Sequence, residues 1–318
     1  MTRLLVALFV LACGPEGPRY TSPDTLPTQQ PTFRARTELV RVDALVTDDG
    51  APVTGLTARD FEVRDNGVPQ RVTAAGTVEA VQLGIVLDVS GSMTGNRLEI
   101  ARGATSTLLY QLTRGDRFAI VAFADQIARV SKPGASVADV TTALESIRAG
   151  GGTAMIDGLY AGILQSDQGP GPKLLVLMTD GRNNSSWLSG TSVIDTARRH
   201  ETVIYPVAVT AGGEGNQVRP LYGARTTVVT PLGKSDNDHL ALLQEIAEQT
   251  GGRQIDAQWN DTLGVAFQRI LREYRQRYIL TFTPEGVETG DGWHSLEVKV
   301  KRRGASVRAR TRYWAGRN

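Results

Sequence analysis

The sequence predicts an α/β fold: a doubly wound, mostly parallel sheet, flanked by a small β-sandwich formed from N- and C-terminal strands. Three observations carry this reading. Apolar runs at 83–89 (LGIVLDV), 117–124 (RFAIVAFA), 173–178 (KLLVLM) and 202–209 (TVIYPVAV) suit strands covered by helices. Segments with helical spacing separate them. Before residue 80 and after residue 276 the pattern changes to short alternating stretches bounded by turn residues.

Arg3 precedes the apolar run LLVALFVLA (4–12), and Cys13, the one cysteine, follows it. That run is too short to span a bilayer and suits the apolar region of a signal peptide. V-L-A-C (10–13) resembles a lipobox, although Val10 and Leu11 depart from its usual residues. The resemblance implies lipidation at Cys13, and therefore an exported, membrane-anchored protein of the cell envelope; simple secretion is the alternative. A lone cysteine has no internal disulfide partner, which agrees with that role. Residues 14–32, rich in Pro, Thr, Ser and Gln, read as a flexible linker.

Residues 33–80 form the N-terminal β segment. TELVRVDALVTD (37–48) places Val40, Val42, Ala44 and Val46 at alternating positions, with turns at 48–52 and Asp65-Asn66-Gly67 and a short strand at 69–76. About two hairpins cannot bury a core by themselves. Residues 81–275 hold the α/β domain. A helix from Asn96 to Leu112 aligns Leu98, Ala101, Thr105, Leu108, Leu109 and Leu112, and one at 136–147 aligns Val137, Val140, Leu144 and Ile147. An edge strand is expected at 126–134, and further helices at 154–166, 191–200, 237–250 and 261–275. Residues 276–318 return to β, with strands at 277–284, 294–301 and 306–314. These pair with 33–80, so that orphaned hairpins at both ends share one core.

The chemistry lies in three short motifs in order: D-V-S-G-S (88–92), G-G-G-T (150–153) and T-D-G (179–181). The first and third follow apolar strands, and the loops at strand ends are where open α/β sheets bind ligands. Asp88, Ser90, Ser92, Thr153 and Asp180 offer two carboxylates and three hydroxyls. These are hard oxygen donors, suited to Mg²⁺ or Mn²⁺ rather than to zinc.

The arrangement resembles the metal-ion-dependent adhesion site of von Willebrand factor A domains, whose pattern is D-x-S-x-S, then Thr, then Asp. All five positions match. The resemblance implies direct ligation of Mg²⁺ (or Mn²⁺ or Ca²⁺) by Ser90 and Ser92. Thr153, Asp88 and Asp180 would ligate directly or through water. It also implies that an Asp or Glu carboxylate of a partner protein completes the shell. Across residues 33–316 the chain resembles the bacterial, Acidobacteria-type VWFA-related family. The segment Val40–Gly67 corresponds to that family's N-terminal pattern, with Gly50 one place closer to Asp48. Arg310, Arg312, Tyr313 and Ala315 stand at its closing motif, with Arg312 where a glycine is usual.

Other chemistries find little support. Gly91-Ser92-Met93-Thr94-Gly95 puts methionine where a nucleophile elbow needs serine. His200, His239 and His294 fall in unrelated contexts, and no H-E-x-x-H motif exists. Gly233-Lys234-Ser235 lacks the P-loop glycine, because Val228 stands in its place. The glycines at 211–216 read as a mobile loop beside the metal face. A net charge of +2 supplies no excess to attract nucleic acid, and the basic stretch 299–312 reads as the wet face of strands. Asp157, one helical turn after Thr153, is a candidate for hydrogen bonding around the site, and Asn183 and Asn184 for its rim. The expectation is a non-enzymatic, cation-dependent protein-binding module of the cell envelope. The alternative is a structural envelope component in which the metal only stabilises the fold.

Overall fold

The computed structural model describes residues 39–132, 134–169, 171–210, 234–258, 262–287 and 292–316. Cys13, the linker and the 211–216 loop lie outside these. Strands β1 (Val40–Asp48), β2 (Ala51–Pro52), β3 (Phe61–Asp65), β4 (Val68–Gln70) and β5 (Val72–Thr77) come first. The α/β region follows with β6 (Gln82–Asp88), α1 (Asn96–Leu109), β7 (Arg117–Phe123), β8 (Ile127–Arg129), α2 (Val137–Ser146) and α3 (Met155–Ser166). It continues through β9 (Lys173–Thr179), α4 (Gly190–Arg199), β10 (Thr202–Thr210), α5 (Lys234–Thr250), β11 (Ile255–Gln258) and α6 (Thr262–Arg275). Strands β12 (Tyr278–Phe282), β13 (Gly292–Val300), β14 (Ser306–Arg308) and β15 (Arg312–Ala315) come last. No helix among the described residues is long and apolar enough to cross a membrane.

The central sheet has the order β11-β10-β9-β6-β7-β8, parallel except where β8 runs against β7. From β6 the chain first builds outward through β7 and β8, then returns to the other side of β6 with β9. The order therefore reverses between β6 and β9, and the crevice at their carboxyl ends is the place where such sheets bind ligands. Every residue of these two strands is buried. Leu83, Ile85 and Leu87 pack with Leu98 and Leu108 of α1, Leu144 of α2 and Phe267 of α6. Val86 points the other way, towards Ile156, Leu159 and Ile163 of α3 and Val193 of α4. This two-faced burial explains the continuous apolar runs.

Helix α3 lies unusually close to the sheet. A Cβ at Gly158 would fall 2.6 Å from the Phe123 ring, and one at Gly162 only 2.2 Å from Val86 Cγ2. Glycines four residues apart share one helix face, so this face is flat. The close approach delivers the amino end of α3, and Thr153 just before it, to the carboxyl edge of the sheet.

Strands from both chain ends form the sandwich. One sheet has the order β14-β1-β12-β5, with β2 on β1; the other has the order β15-β13-β3-β4. Val42 pairs with Leu280, and Val63 with Val298. Val42, Val46, Phe61, Val63, Leu280, Phe282, Leu296 and Tyr313 share the core between them. Two expected strands are broken. Residues 69–76 divide into β4, paired with β3, and β5, paired with β12. Residues 306–314 divide into β14, paired with β1, and β15, paired with β13. In both cases the chain passes from one sheet to the other, a corner that simple alternation does not mark. At the second corner the Arg310 guanidinium turns inward, donating to the carbonyls of Arg198 and Arg41 and to Glu201. The expected edge strand at 126–134 is reduced to β8, and β11 is an edge strand that the sequence reading passed over.

A buried charge joins sandwich to α/β region. Arg277 is fully buried between α6 and β12. It donates to the Asp43 carbonyl at 3.2 Å, to the Tyr205 hydroxyl at 3.0 Å and to the Gly251 carbonyl. The Tyr274 hydroxyl donates to the Asp43 carboxylate at 3.1 Å, and burial raises the pKa of that carboxyl.

Candidate metal centre

Asp88 is the last residue of β6 and is fully buried. Its Oδ1 accepts the Ser90 backbone N–H and its Oδ2 the Thr179 hydroxyl, both at 2.9 Å. Burial pushes the carboxyl up to about 6; hydrogen bonds from Ser90 oppose the shift and the nearby Asp180 adds to it. Ser90 and Ser92 belong to a 3₁₀ turn at Gly91–Met93, anchored by the buried Met93 side chain. Their hydroxyl oxygens lie 3.1 Å apart.

The triple-glycine loop is stitched to this turn. The Gly91 N–H donates to the Gly151 carbonyl at 3.0 Å, and the Gly150 N–H to the Val89 carbonyl at 2.9 Å. Gly151 has a φ of +78°, and a Cβ there would fall 2.3 Å from an Asp125 carboxylate oxygen. A Cβ at Gly152 would fall 2.2 Å from the Ser185 hydroxyl. Only a chain without side chains passes between these walls to present Thr153, which is buried. Asp180 follows β9 directly, its side chain about one-tenth exposed and its Oδ1 accepting the Arg182 N–H at 3.3 Å.

Asp88, Ser90, Ser92, Thr153 and Asp180 thus stand on three adjoining loops at the carboxyl edge of the sheet, around the β6/β9 reversal. Cys13 lies outside the described residues. Of the residues weighed for the periphery, Asp157 accepts the N–H groups of Trp187 and Leu188, each at 2.9 Å. Asn183 and Asn184 face α3: their carbonyl oxygens accept the N–H groups of Met155 at 3.2 Å and Thr153 at 2.8 Å. Ala154, at the N-cap of α3, has no side-chain acceptor, so the 183–188 loop satisfies those orphan donors. Sequence reasoning missed two neighbours. Thr179 fixes the Asp88 carboxylate, and its signal was a hydroxyl closing an otherwise apolar strand. Asp125, two residues beyond β7, covers Gly151.

The donor set fits a hard divalent cation. Asp88 is a buried carboxylate held by neutral donors, and among the described residues no cationic side chain bonds to it. Such a group needs a compensating charge. Among the described residues no cluster of three or more His, Cys, Asp or Glu could hold a metal. Hydroxyls would therefore have to supply much of any shell here, as suits Mg²⁺ or Mn²⁺. Two of the three histidines are occupied elsewhere: His200 Nδ1 lies 2.6 Å from Asp167, and His294 Nδ1 2.8 Å from Asp65.

A doubly wound sheet with an Asp-Ser-Ser-Thr-Asp constellation at its switch point defines a class of α/β binding domain. The chain belongs to the von Willebrand factor type A domain family, whose model matches residues 83–255. It is 36% identical over 108 residues to the uncharacterized protein sll0103 of Synechocystis sp., a match spanning 32% of this chain and 26% of that one. Among solved structures it is similar to proximal thread matrix protein 1 of the mussel byssus, described with a zinc-occupied MIDAS motif. That likeness has 19% identity, a TM-score of 0.48, and covers 65% of this chain and 48% of the other. It is also similar to a von Willebrand factor type A protein from Catenulispora acidiphila, with 16% identity, a TM-score of 0.48, and 89% and 74% of the two chains covered.

Proposed function

We propose that this protein is a divalent-cation-dependent protein-binding module. Ser90, Ser92 and Thr153 would hold Mg²⁺ or Mn²⁺, with Asp88 and Asp180 contributing directly or through water. When bound, the ion offers an electrophilic position that an Asp or Glu carboxylate of a partner can occupy. The observation that carries this reading is the convergence of the Ser90 and Ser92 hydroxyls, 3.1 Å apart, beside the buried Asp88 carboxylate. Neutral hydroxyls leave the ion under-neutralised, so a foreign carboxylate is attracted. No residue of the site stands as a free general base, which favours binding over hydrolysis. The apolar run before Cys13 supports an exported, lipid-anchored placement, testable by fatty-acid labelling of wild type against Cys13→Ser.

Calorimetric titration of Mg²⁺ and Mn²⁺ into the metal-stripped protein tests the site. One saturable event, lost in Asp88→Ala while that variant stays folded, is the expected result. Unfolding of Asp88→Ala would favour the alternative, in which the cation only stabilises the fold.

A further inference from the structure

Trp187 is 95% exposed and its neighbour Leu188 is 37% exposed, the largest apolar pair on the loop that follows Asp180. An exposed tryptophan on a loose loop would need no explanation. This loop is not loose. Thr153, Met155 and Ile156 donate their N–H groups to Asn184, Asn183 and Ser186, at 2.8, 3.2 and 3.0 Å. In return the Thr153 carbonyl accepts from Asn184 and Ser185, and the Asp157 carboxylate from Trp187 and Leu188. Residues 183–188 are therefore zipped along residues 153–157, and the position of Trp187 is fixed relative to Thr153.

We infer that Trp187 and Leu188 form a second anchor on the metal face. They receive a bulky apolar side chain of the partner protein whose carboxylate meets the cation. This rests on the metal-bridge reading above and goes beyond it by stating what else the partner must carry. A pre-ordered loop loses little conformational freedom on binding, and tryptophan is the residue most enriched among binding hot spots. Asn184, bonded to Thr153, is three residues from Trp187, so the chain keeps the Cα atoms of Asn184 and Trp187 within about 11 Å of each other. An extended partner segment covers a span of that size in at most about four residues at roughly 3.3 Å each. Arg182, its side chain 58% exposed beside Asp180, adds positive charge to the same loop. The partner surface is thus an exposed segment with an Asp or Glu and a large apolar residue within about four positions of each other.

The test uses a displayed random-peptide library, panned on the full chain in Mn²⁺ and eluted with chelator. Selected peptides are then titrated against wild type, Trp187→Ala, Trp187→Phe and Asp88→Ala, with Mn²⁺ affinity measured for each protein. The expected result is enrichment of peptides pairing an acid with a bulky apolar residue at that spacing. Trp187→Ala should weaken them about tenfold or more, with Trp187→Phe retaining part of the affinity and both keeping wild-type Mn²⁺ affinity. Chelator-sensitive peptides that bind Trp187→Ala as tightly as wild type would overturn the anchor and leave the metal bridge standing. Peptides that need Trp187 but ignore both chelator and Asp88→Ala would overturn the bridge, and the two-point surface with it.

Discussion

Gly162 lies directly against Val86: the hydrogen of one replaces the methyl that would strike the other, with a Cβ at 162 only 2.2 Å from Val86 Cγ2. Gly162→Ala should therefore destabilise the protein by about 1–3 kcal/mol through overpacking, although alanine favours helix by about 1 kcal/mol over glycine. Adding Val86→Ala should recover much of the loss, a coupling that denaturant unfolding of the single and double variants would reveal. Additive effects would mean that α3 has room to shift.

Asp88 sets a pH dependence. Its folded-state carboxyl, at about 6, lies above the ordinary aspartate value of 3.8. In metal-free protein this group's contribution to stability is complete below about 3.8 and is lost as pH rises through about 6, amounting to roughly 3 kcal/mol. Metal-free Asp88→Asn should thus gain on wild type between pH 4 and pH 7. Cation binding runs the other way, because it requires the carboxylate, so Mn²⁺ affinity should climb as pH passes about 6. Unfolding curves of both proteins in chelator, and Mn²⁺ titrations at pH 5 and 7.5, check the two halves separately.

Thr179→Val keeps the shape of the β9 terminus but removes the hydroxyl that holds Asp88 Oδ2. The expected consequence is a loss of about 10- to 100-fold in Mn²⁺ affinity, the usual range when a group orienting a ligand is removed. Ser90→Ala should lose at least as much. Unchanged affinity in Thr179→Val would show that Asp88 is oriented well enough by the Ser90 N–H.

Arg277→Met removes a buried cation and leaves the Gly251 and Asp43 carbonyls without their donor. Breaking a buried charged network on one side costs about 3–5 kcal/mol. Chemical denaturation should show that loss, and Mn²⁺ affinity of the protein that remains folded should be unchanged, since Arg277 bonds to none of the three site loops.

Much of this was legible in the residues themselves. Buried strands announce themselves by unbroken apolar runs, so β6, β7, β9 and β10 stood out, and the D-V-S-G-S, G-G-G-T and T-D-G motifs sat at the loops those strands imply. What stayed hidden depends on contacts between distant segments. The corners at Arg71 and between Arg308 and Arg312 look like continuous alternation, because a strand that changes sheet keeps its period while its partner changes. β11 is a four-residue edge strand with too few apolar positions to rise above its surroundings. The roles of Asn183, Asn184, Ser186 and Asp157 were illegible for another reason. Polar loop residues look alike until one knows that α3 begins at an alanine N-cap and must find its acceptors from elsewhere.

Helix α6 ends at Arg275 and β12 begins at Tyr278, with Gln276 and the locked Arg277 between them. Because β12 lies between β1 and β5, α6 has no slack at its carboxyl end. An axial slide of that helix by one turn, about 5.4 Å, would have to carry an interior strand with it and unpair two ladders at once. At this junction the α/β region and the sandwich are coupled directly, so tension applied at β12 passes into α6 across only two residues.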